Sequence, residues 1–569
     1  MPNLKFDQLL VMSDSLKAAR QFKFSKTLNL ITAKDNTVGK STVVKLLFWV
    51  LGCEPTFDTT WKNCDCKCLL NFTIDNEEYW VFRYKDIIFI KNQIGEWLKF
   101  NKITGDFSEY FANLVQFKVL LPNRMDGTLE IPPPAYYFLP FYIDQKRSWA
   151  KAWDNFENLE QYANWKSKVI EFHVGLLKPV HFELEKAIQL ENVNKKAREE
   201  SNVKLDTTIS VVEEYIPKNN TTLNENEFLN IAESIKIDLS ELTNSQEELF
   251  EQIATLEADK AFLTQQAEIS EKIIKEVEAD YKFTIENIAA DEIECPLCGV
   301  VHENSIVNRA SILSDKDQAE KQLSILQNRL TSINSKLEKS KSTLEEIRAK
   351  IRILNDKYSK IDINGSKIQV EDVIDSFAAK AIEKRVGEDR NKNILEIEAI
   401  SGRIKDNKKL QKELTTKEEK KSIGNTFMDF FSTYIHMLGA EGINLSEISK
   451  PTDYSKIQRE GGAAEGTRGM LAYYLSVYSC ITMRDIEAIA PLVVDTPNQH
   501  EQSDVNYEKI VRLLISKMGK QQIVLCAMEN DNLEEFKKVA KVFELTNTKI
   551  LQQDVYEELK PIFDWVPWE

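Results

Sequence analysis

Two short segments more than 450 residues apart limit what this chain can fold into. Leu28 to Thr32 is an apolar run that leads into Asp35-Asn36-Thr37-Val38-Gly39-Lys40-Ser41-Thr42, and Val43 to Val50 continues as an apolar stretch. A strand, a tight loop and a helix that opens on Lys40 together make a cradle of backbone N–H groups for phosphate oxygens. Far downstream, Ala490-Pro491-Leu492-Val493-Val494-Asp495 is a second apolar strand ending in a carboxylate, where Mg²⁺ would be held beside such a loop. The two strands must share one sheet, so the chain between them has to leave a globular head and return to it.

That intervening chain carries two heptad tracks. Leu249, Ile253, Leu256, Leu263, Ala267, Ile274 and Val277 form the outbound one. Leu323, Leu326, Leu330, Ile333, Leu337, Leu344, Ile347, Ile351 and Leu354 form the inbound one. Between them sits Glu294-Cys295-Pro296-Leu297-Cys298-Gly299, a compact Cys-x-x-Cys turn. Pro217 with its Asn-rich sequel and Ile363-Asn364-Gly365-Ser366 interrupt the two tracks at similar distances from the cysteines, which suggests a joint. Two unrelated surface loops between ordinary helices remain the alternative. Continuous distal segments of about 75 residues would reach roughly 110 Å.

The expected fold resembles an α/β ABC-type ATPase head split between N- and C-terminal segments, with an inserted antiparallel coiled-coil arm and a Cys-x-x-Cys tip. The boundaries read as a head half over 1–175, an outbound arm over 176–290 with a break near 217–225, and a tip over 291–305. An inbound arm follows over 306–422 with a break near 361–368, and the second head half covers 423–569. Residues 64 to 100 alternate through Phe72, Ile74, Trp80, Phe82, Ile88 and Ile90 and predict a strand meander; Phe427 to Met437 predicts an amphipathic helix.

Composition narrows the classes. A net charge of −16 over 569 residues argues against a generally basic surface, while leaving room for a local basic face. The apolar run Leu46 to Leu51 is too short to cross a bilayer, so no membrane is expected and the location reads as cytoplasmic. Cysteine usage fits a reduced compartment. Cys64, Cys66 and Cys68 have the spacing of one strand face, with a metal cluster as the rival reading. Only five histidines are present, and no nuclease grouping of carboxylates and histidines stands out.

At the phosphate loop, Lys40 can reach the β and γ phosphates, Ser41 can ligate Mg²⁺, and Asn36, Gly39 and Thr42 line the cradle. Lys34 and Thr37 stand where glycines are customary. Asp495 is the second Mg²⁺ ligand, and Thr496 follows it where a glutamate usually orients the attacking water. Glu501 is a candidate for that carboxylate if residues 498–500 bend back, and is equally readable as a helix-start residue.

Together these motifs resemble the SMC superfamily of ABC-type ATPases over essentially the full chain, in particular its zinc-hook members. The resemblance implies two heads engaged around two ATP molecules, each held by one subunit's phosphate loop and the other's signature segment. The matching segment is Gly461-Gly462-Ala463-Ala464-Glu465-Gly466-Thr467-Arg468, so Gly462, Ala463, Ala464 and Glu465 join the ATP-binding set, although the usual serine and paired glycines are replaced. Gln145 is similar to the family's Q-loop glutamine. The late histidine is absent from Leu525 to Asn530, where Met528 or Glu529 stands, so weak or partner-dependent ATP turnover is expected.

Cys295 and Cys298 supply two thiolates, and two such turns complete a four-coordinate Zn²⁺ site. His302 is the alternative third local ligand. The implied partners are a second copy through heads and hook, double-stranded DNA, and a separate effector or nuclease subunit. The short arm and the Val494-Asp495-Thr496-Pro497 ending resemble Lamassu-type anti-phage or anti-plasmid defence subunits. A repair or chromosome-maintenance ATPase and an ATP-gated scaffold without DNA binding stay open.

Overall fold

The computed structural model describes all residues except 1, 36–37, 59–60, 62–63, 150, 216–224, 287–291, 295–300, 304–305, 359–369, 458–462, 485, 498–501, 518–520, 546–548 and 568–569. The chain divides into two units, residues 1–189 with 405–569, and residues 190–404. It is a mixed α/β molecule with long inserted helices.

The first unit holds two sheets. Strands β1 (Leu4–Ser13), β2 (Ala18–Lys23), β4 (Cys66–Ile74), β5 (Glu77–Tyr84), β6 (Ile87–Lys91) and β7 (Trp97–Phe100) form an antiparallel sheet in the order β2-β1-β4-β5-β6-β7. Cys66 and Cys68 are buried within β4 and Cys64 is half-buried before it. The second sheet is parallel throughout and draws on the whole length of the chain. Its order is β8 (Tyr142–Ile143), β11 (Leu492–Asp495), β12 (Ile523–Met528), β3 (Leu28–Ala33) and β13 (Lys541–Glu544). Leu492 to Val494 of β11 and the whole of β12 read as unbroken apolar runs, as strands of a parallel sheet buried on both faces do. All six residues of β3 and all four of β11 are buried.

One core joins the two chain halves. Phe48 of helix α1 (Lys40–Trp49) stacks on Tyr142 at 4.5 Å and meets Phe6 and Phe138 edge-on. Polar groups are paired across the halves: Trp153 Nε1 donates to the Tyr473 hydroxyl at 2.8 Å, and Tyr137 donates to the Ala488 carbonyl at 2.6 Å. His173 and Glu487 form a fully buried pair at 2.5 Å, in which burial pushes the Glu487 carboxyl up and His173 offsets that rise.

The second unit is built from α2 (Pro179–Tyr215), α3 (Glu225–Glu286), α4 (Ile306–Tyr358) and α5 (Val370–Glu413), of which α2 and α5 also extend into the first unit. Helices α3 and α4 pair antiparallel, with Lys341 on Glu257 at 2.7 Å and Lys316 on Glu278 at 3.0 Å. Leu263, Ala267 and Leu326 are buried in their seam, as the heptads require.

The direction of travel differs from a straight arm. Lys204 of α2 meets Asp259 of α3 at 2.6 Å, and Arg385 of α5 meets Glu251 at 2.6 Å. Arg390 pairs with Asp206 at 2.8 Å, which puts Glu251 further along α2 than Asp259. Helix α3 therefore runs back along α2, and α4 and α5 are related in the same way. Four helices share one layer, where Leu205, Ile209, Phe250, Ile253, Ala254, Leu337, Leu344, Ile382 and Val386 cluster. Most of the residues of the interruptions expected near 217–225 and 361–368 lie outside those described.

Beyond α3, strands β9 (Glu292–Glu294) and β10 (Val301–Glu303) form a hairpin that pairs Ile293 with His302. Cys295 and Cys298 lie outside the described residues.

Candidate nucleotide site

The parallel sheet brings three distant chain segments to the C-terminal edge of its strands, where such sheets present their sites. β3 delivers the loop before α1, β8 delivers Asp144 and Gln145, and β11 delivers Asp495, which is in register with Cys526 on β12. Gly39 caps α1 at φ 91°, a left-handed conformation that favours glycine. The Ile550 side chain lies 2.4 Å from where a Cβ on Gly39 would stand, so side-chain-free backbone is needed there on steric grounds as well.

Ser41 is the meeting point. Its hydroxyl lies 3.1 Å from Asp495 Oδ1 and 3.2 Å from Gln145 Oε1. Lys40 is buried and donates to the Asp35 carbonyl at 2.9 Å, which keeps its ammonium folded over the loop. Thr42 follows on the same helix turn. Asn36 lies outside the described residues.

Asp495 is fully buried, and its acidity is correspondingly weakened. Burial first, then the neighbouring Asp144, push its carboxyl up to about 6, against hydrogen bonds from Ser41, Cys526 and Thr496 that favour the charged form. Its Oδ2 is buried without a hydrogen-bond partner among the described residues. Thr496 takes a left-handed φ of 52° and bonds Asp495 Oδ1 at 3.0 Å. Trp149 Nε1 donates to the Asp495 carbonyl at 3.2 Å.

Asp144 and Trp149 were not among the expected site residues. Asp144 accepts from Tyr142 at 2.9 Å and stands 3.8 Å from Lys45 of α1. The apolar run Phe141 to Ile143 ending in Asp144 was a readable signal. Nothing in the sequence pattern marks Trp149.

Ser41 and Thr496 hydroxyls, the Gln145 amide oxygen and an unpartnered carboxylate oxygen are hard oxygen donors, the set that suits Mg²⁺. These residues fit such an ion. Among the described residues no cluster of three or more His, Cys, Asp or Glu side chains could hold a metal, and the Cys-x-x-Cys pair lies outside them.

The Gly/Ala-rich segment is organised separately. Ala463 begins helix α6 (Ala463–Thr482), Ala464 accepts from Gln502 at 2.8 Å, and Glu465 accepts from the Gly442 N–H at 2.5 Å. No hydrogen bond among the described residues joins Ala464 or Glu465 to the Ser41–Asp495 pair. Gly462 and Glu501 lie outside the described residues. Glu529, one of the two residues expected in the late-histidine region, bonds Thr32 at 3.2 Å and pairs with Lys537, which holds its carboxyl below the usual range.

No family model matches this chain. It is similar to the Lamassu protein LmuB of Bacillus cereus (strain VD014), 24% identical over 542 residues that cover 90% of this chain and 88% of that protein. It is also similar to LmuB of Bacillus sp. (strain NCIM 5461 / CCTCC AB 2011126 / NIO-1130), 23% identical over 570 residues, 95% of this chain and 96% of that one. Among solved structures, an Smc head domain with a coiled coil and joint derived from Pyrococcus yayanosii overlays at a TM-score of 0.40, with 15% identity over 98% of this chain and 100% of that one.

Proposed function

We propose that this protein is an SMC-like ATPase of a Lamassu-type defence system. In this reading two copies pair their heads around ATP, the engaged heads and arms sense double-stranded DNA, and the nucleotide state controls a separate effector. The observation that carries the ATP part is the Ser41 hydroxyl bridging Gln145 and Asp495, which gathers a phosphate loop, a glutamine and a strand-end carboxylate from three distant segments. Similarity to LmuB along nine-tenths of the chain supports the assignment to a Lamassu-type system.

Each residue has a part in this reading. Lys40, released from the Asp35 carbonyl, holds the β and γ phosphates, while Gly39 and the first turn of α1 offer backbone N–H groups to their oxygens. Ser41 and Asp495 would hold Mg²⁺, which supplies charge neutralisation at the phosphates when bound, and Gln145 follows the state of that corner. Gly462 to Glu465 face the partner subunit's ATP, and Glu501 is the candidate carboxylate for orienting water. With Thr496 directly after Asp495, turnover by the lone protein is slow. Cys295 and Cys298 together contribute half of a four-thiolate Zn²⁺ site between two arms.

DNA binding is supported by a local gathering of cations on an acidic protein. Lys166 has Lys151 nearby together with Asp154 and Glu160, and Glu171 has Lys420 and Lys450 nearby; in this reading these four lysines contact DNA. Lys166 also lies 5.9 Å over the ring of Tyr454.

The test is ATP-dependent pairing, followed by sedimentation at saturating ATP and Mg²⁺. Lys40→Ala should leave the protein folded and unpaired. Equal pairing by this variant and the parent would remove the mechanism.

A further inference from the structure

Helix α1 is tied to the turn after β8 at two points, one helical turn apart. The Ser41 hydroxyl donates to Gln145 Oε1 at 3.2 Å, and Lys45, four residues further along the same face of α1, stands 3.8 Å from Asp144 Oδ1. Lys45 also donates to the Thr56 carbonyl at 2.8 Å. The same threonine takes a second hold on the turn, because its hydroxyl accepts from Arg147 Nη1 at 3.3 Å. Lys45 and Asp144 are both buried, at 7% and 1% exposure. Desolvation offsets most of the attraction within a buried ion pair, so stability alone does not account for one placed here.

Asp144 has no oxygen free for a metal. Its Oδ1 accepts from the Tyr142 hydroxyl at 2.9 Å and faces Lys45, while Oδ2 accepts from the N–H groups of Lys146 at 2.9 Å and Arg147 at 3.0 Å. Its own N–H donates to the Ser148 hydroxyl at 2.8 Å, which closes the turn from the other side. Asp495 is the opposite case, with a buried Oδ2 that has no hydrogen-bond partner among the described residues. One carboxylate keeps a lone pair open, and the other uses both oxygens on the shape of the turn that presents Gln145. A glutamine side chain is costly to hold in one rotamer, so its reach depends on the backbone that carries it.

We infer that Lys45 and Asp144 are positioning residues that hold Gln145 at the Mg²⁺ corner. The inference rests on the proposed ATPase reading and says what keeps the glutamine of that site in place. A shift of turn 144–147 away from α1 would carry the Gln145 amide oxygen off Ser41. The loop before α1 has its own contact, from Lys40 to the Asp35 carbonyl, and does not depend on the pair.

The experiment separates ATP from its metal. ATP binding to the full chain is titrated in chelator and again across a series of Mg²⁺ concentrations. Lys45→Met keeps the buried stem and leaves Asp144 with the Tyr142 hydroxyl and two N–H donors, so the fold is spared; Asp144→Asn removes the charge from the other side. Both variants should bind ATP in chelator as the parent does. Both should need about tenfold more Mg²⁺ to reach the metal-dependent gain in ATP affinity, the usual cost of losing support behind a metal ligand. Gln145→Ala should show the same shift, and adding Lys45→Met to it should change nothing further. A further tenfold in the Gln145→Ala background would overturn the inference, since the pair would then act on the corner without Gln145. Parent-like Mg²⁺ dependence in both single variants would overturn it as well, and so would weaker ATP binding in chelator, which would make the pair a support of the phosphate loop. Those three results leave the ATPase reading standing. A parent protein that binds no ATP at any Mg²⁺ concentration would remove that reading, and with it the role given to Lys45 and Asp144.

Discussion

At the residue scale, the chain keeps one carboxylate in an unfavourable place. Asp495 would titrate near 4 in an unfolded chain and near 6 in the folded one. Between those values the native state binds the extra proton, so metal-free stability rises as pH falls through 6 towards 4 and is reduced above 6 by the buried charge. Asp495→Asn should therefore be more stable than the parent at pH 8 in chelator, by on the order of 1–3 kcal/mol. Denaturation midpoints at pH 8 and pH 5 check this, and the difference should shrink at the lower pH. Addition of Mg²⁺ and nucleotide should stabilise the parent and leave the variant unmoved. The same residue explains what the sequence could show here. An apolar strand ending in a carboxylate is visible as a pattern, whereas the Trp149 indole on the Asp495 carbonyl depends on a tertiary contact that no spacing encodes.

At the element scale, the four-helix layer is where sequence and structure diverge. A heptad specifies which helix face is buried and says nothing of direction, so Leu249, Ile253 and Leu256 serve a straight pair and a reversed bundle equally well. The distinguishing residues were present: Phe250 and Ala254, buried at 2% and 1%, widen the stripe of α3 beyond a two-helix seam. Further along, Leu263 and Ala267 of α3 are buried with Leu326 of α4. A carbodiimide, which joins only an amine and a carboxylate in direct contact, should couple Lys204 to Asp259 within a single chain. A straight arm would hold them upwards of about 60 Å apart, and peptide mapping that found no such link in monomeric protein would reject the reversal. At the tip, one Zn²⁺ per two chains is expected, lost in Cys295→Ser with Cys298→Ser while helix content stays. One Zn²⁺ per chain, measured by metal analysis, would bring His302 into the ligand set instead.

At the scale of the whole molecule, a net charge of −16 and four lysines proposed to contact DNA make opposite demands on a polyanion, and salt separates them. Double-stranded DNA should bind at low ionic strength and weaken with added salt, because releasing counter-ions into a saltier solution gains less entropy. Reversing Lys151, Lys166, Lys420 and Lys450 to Glu should weaken binding and cut the slope of log affinity against log salt by about 3, while ATP binding is kept. A slope unchanged by the reversal would locate the DNA elsewhere.

The parallel sheet also sets a timetable for the newborn chain. Strand β3 emerges early, yet both of its neighbours, β12 and β13, belong to the last fifty residues. At translation speeds of 5–20 residues per second, the apolar run Leu28–Ala33 waits roughly 25 to 100 seconds for a partner strand. During that interval its N–H and C=O groups form an open sheet edge able to pair with any other exposed strand. The early antiparallel sheet can form without this partner, but the corner where Ser41 meets Asp495 cannot. A ribosome stalled anywhere in the long helices therefore leaves a chain with no Asp495 and no β12, in which helices have been made and the parallel sheet has not.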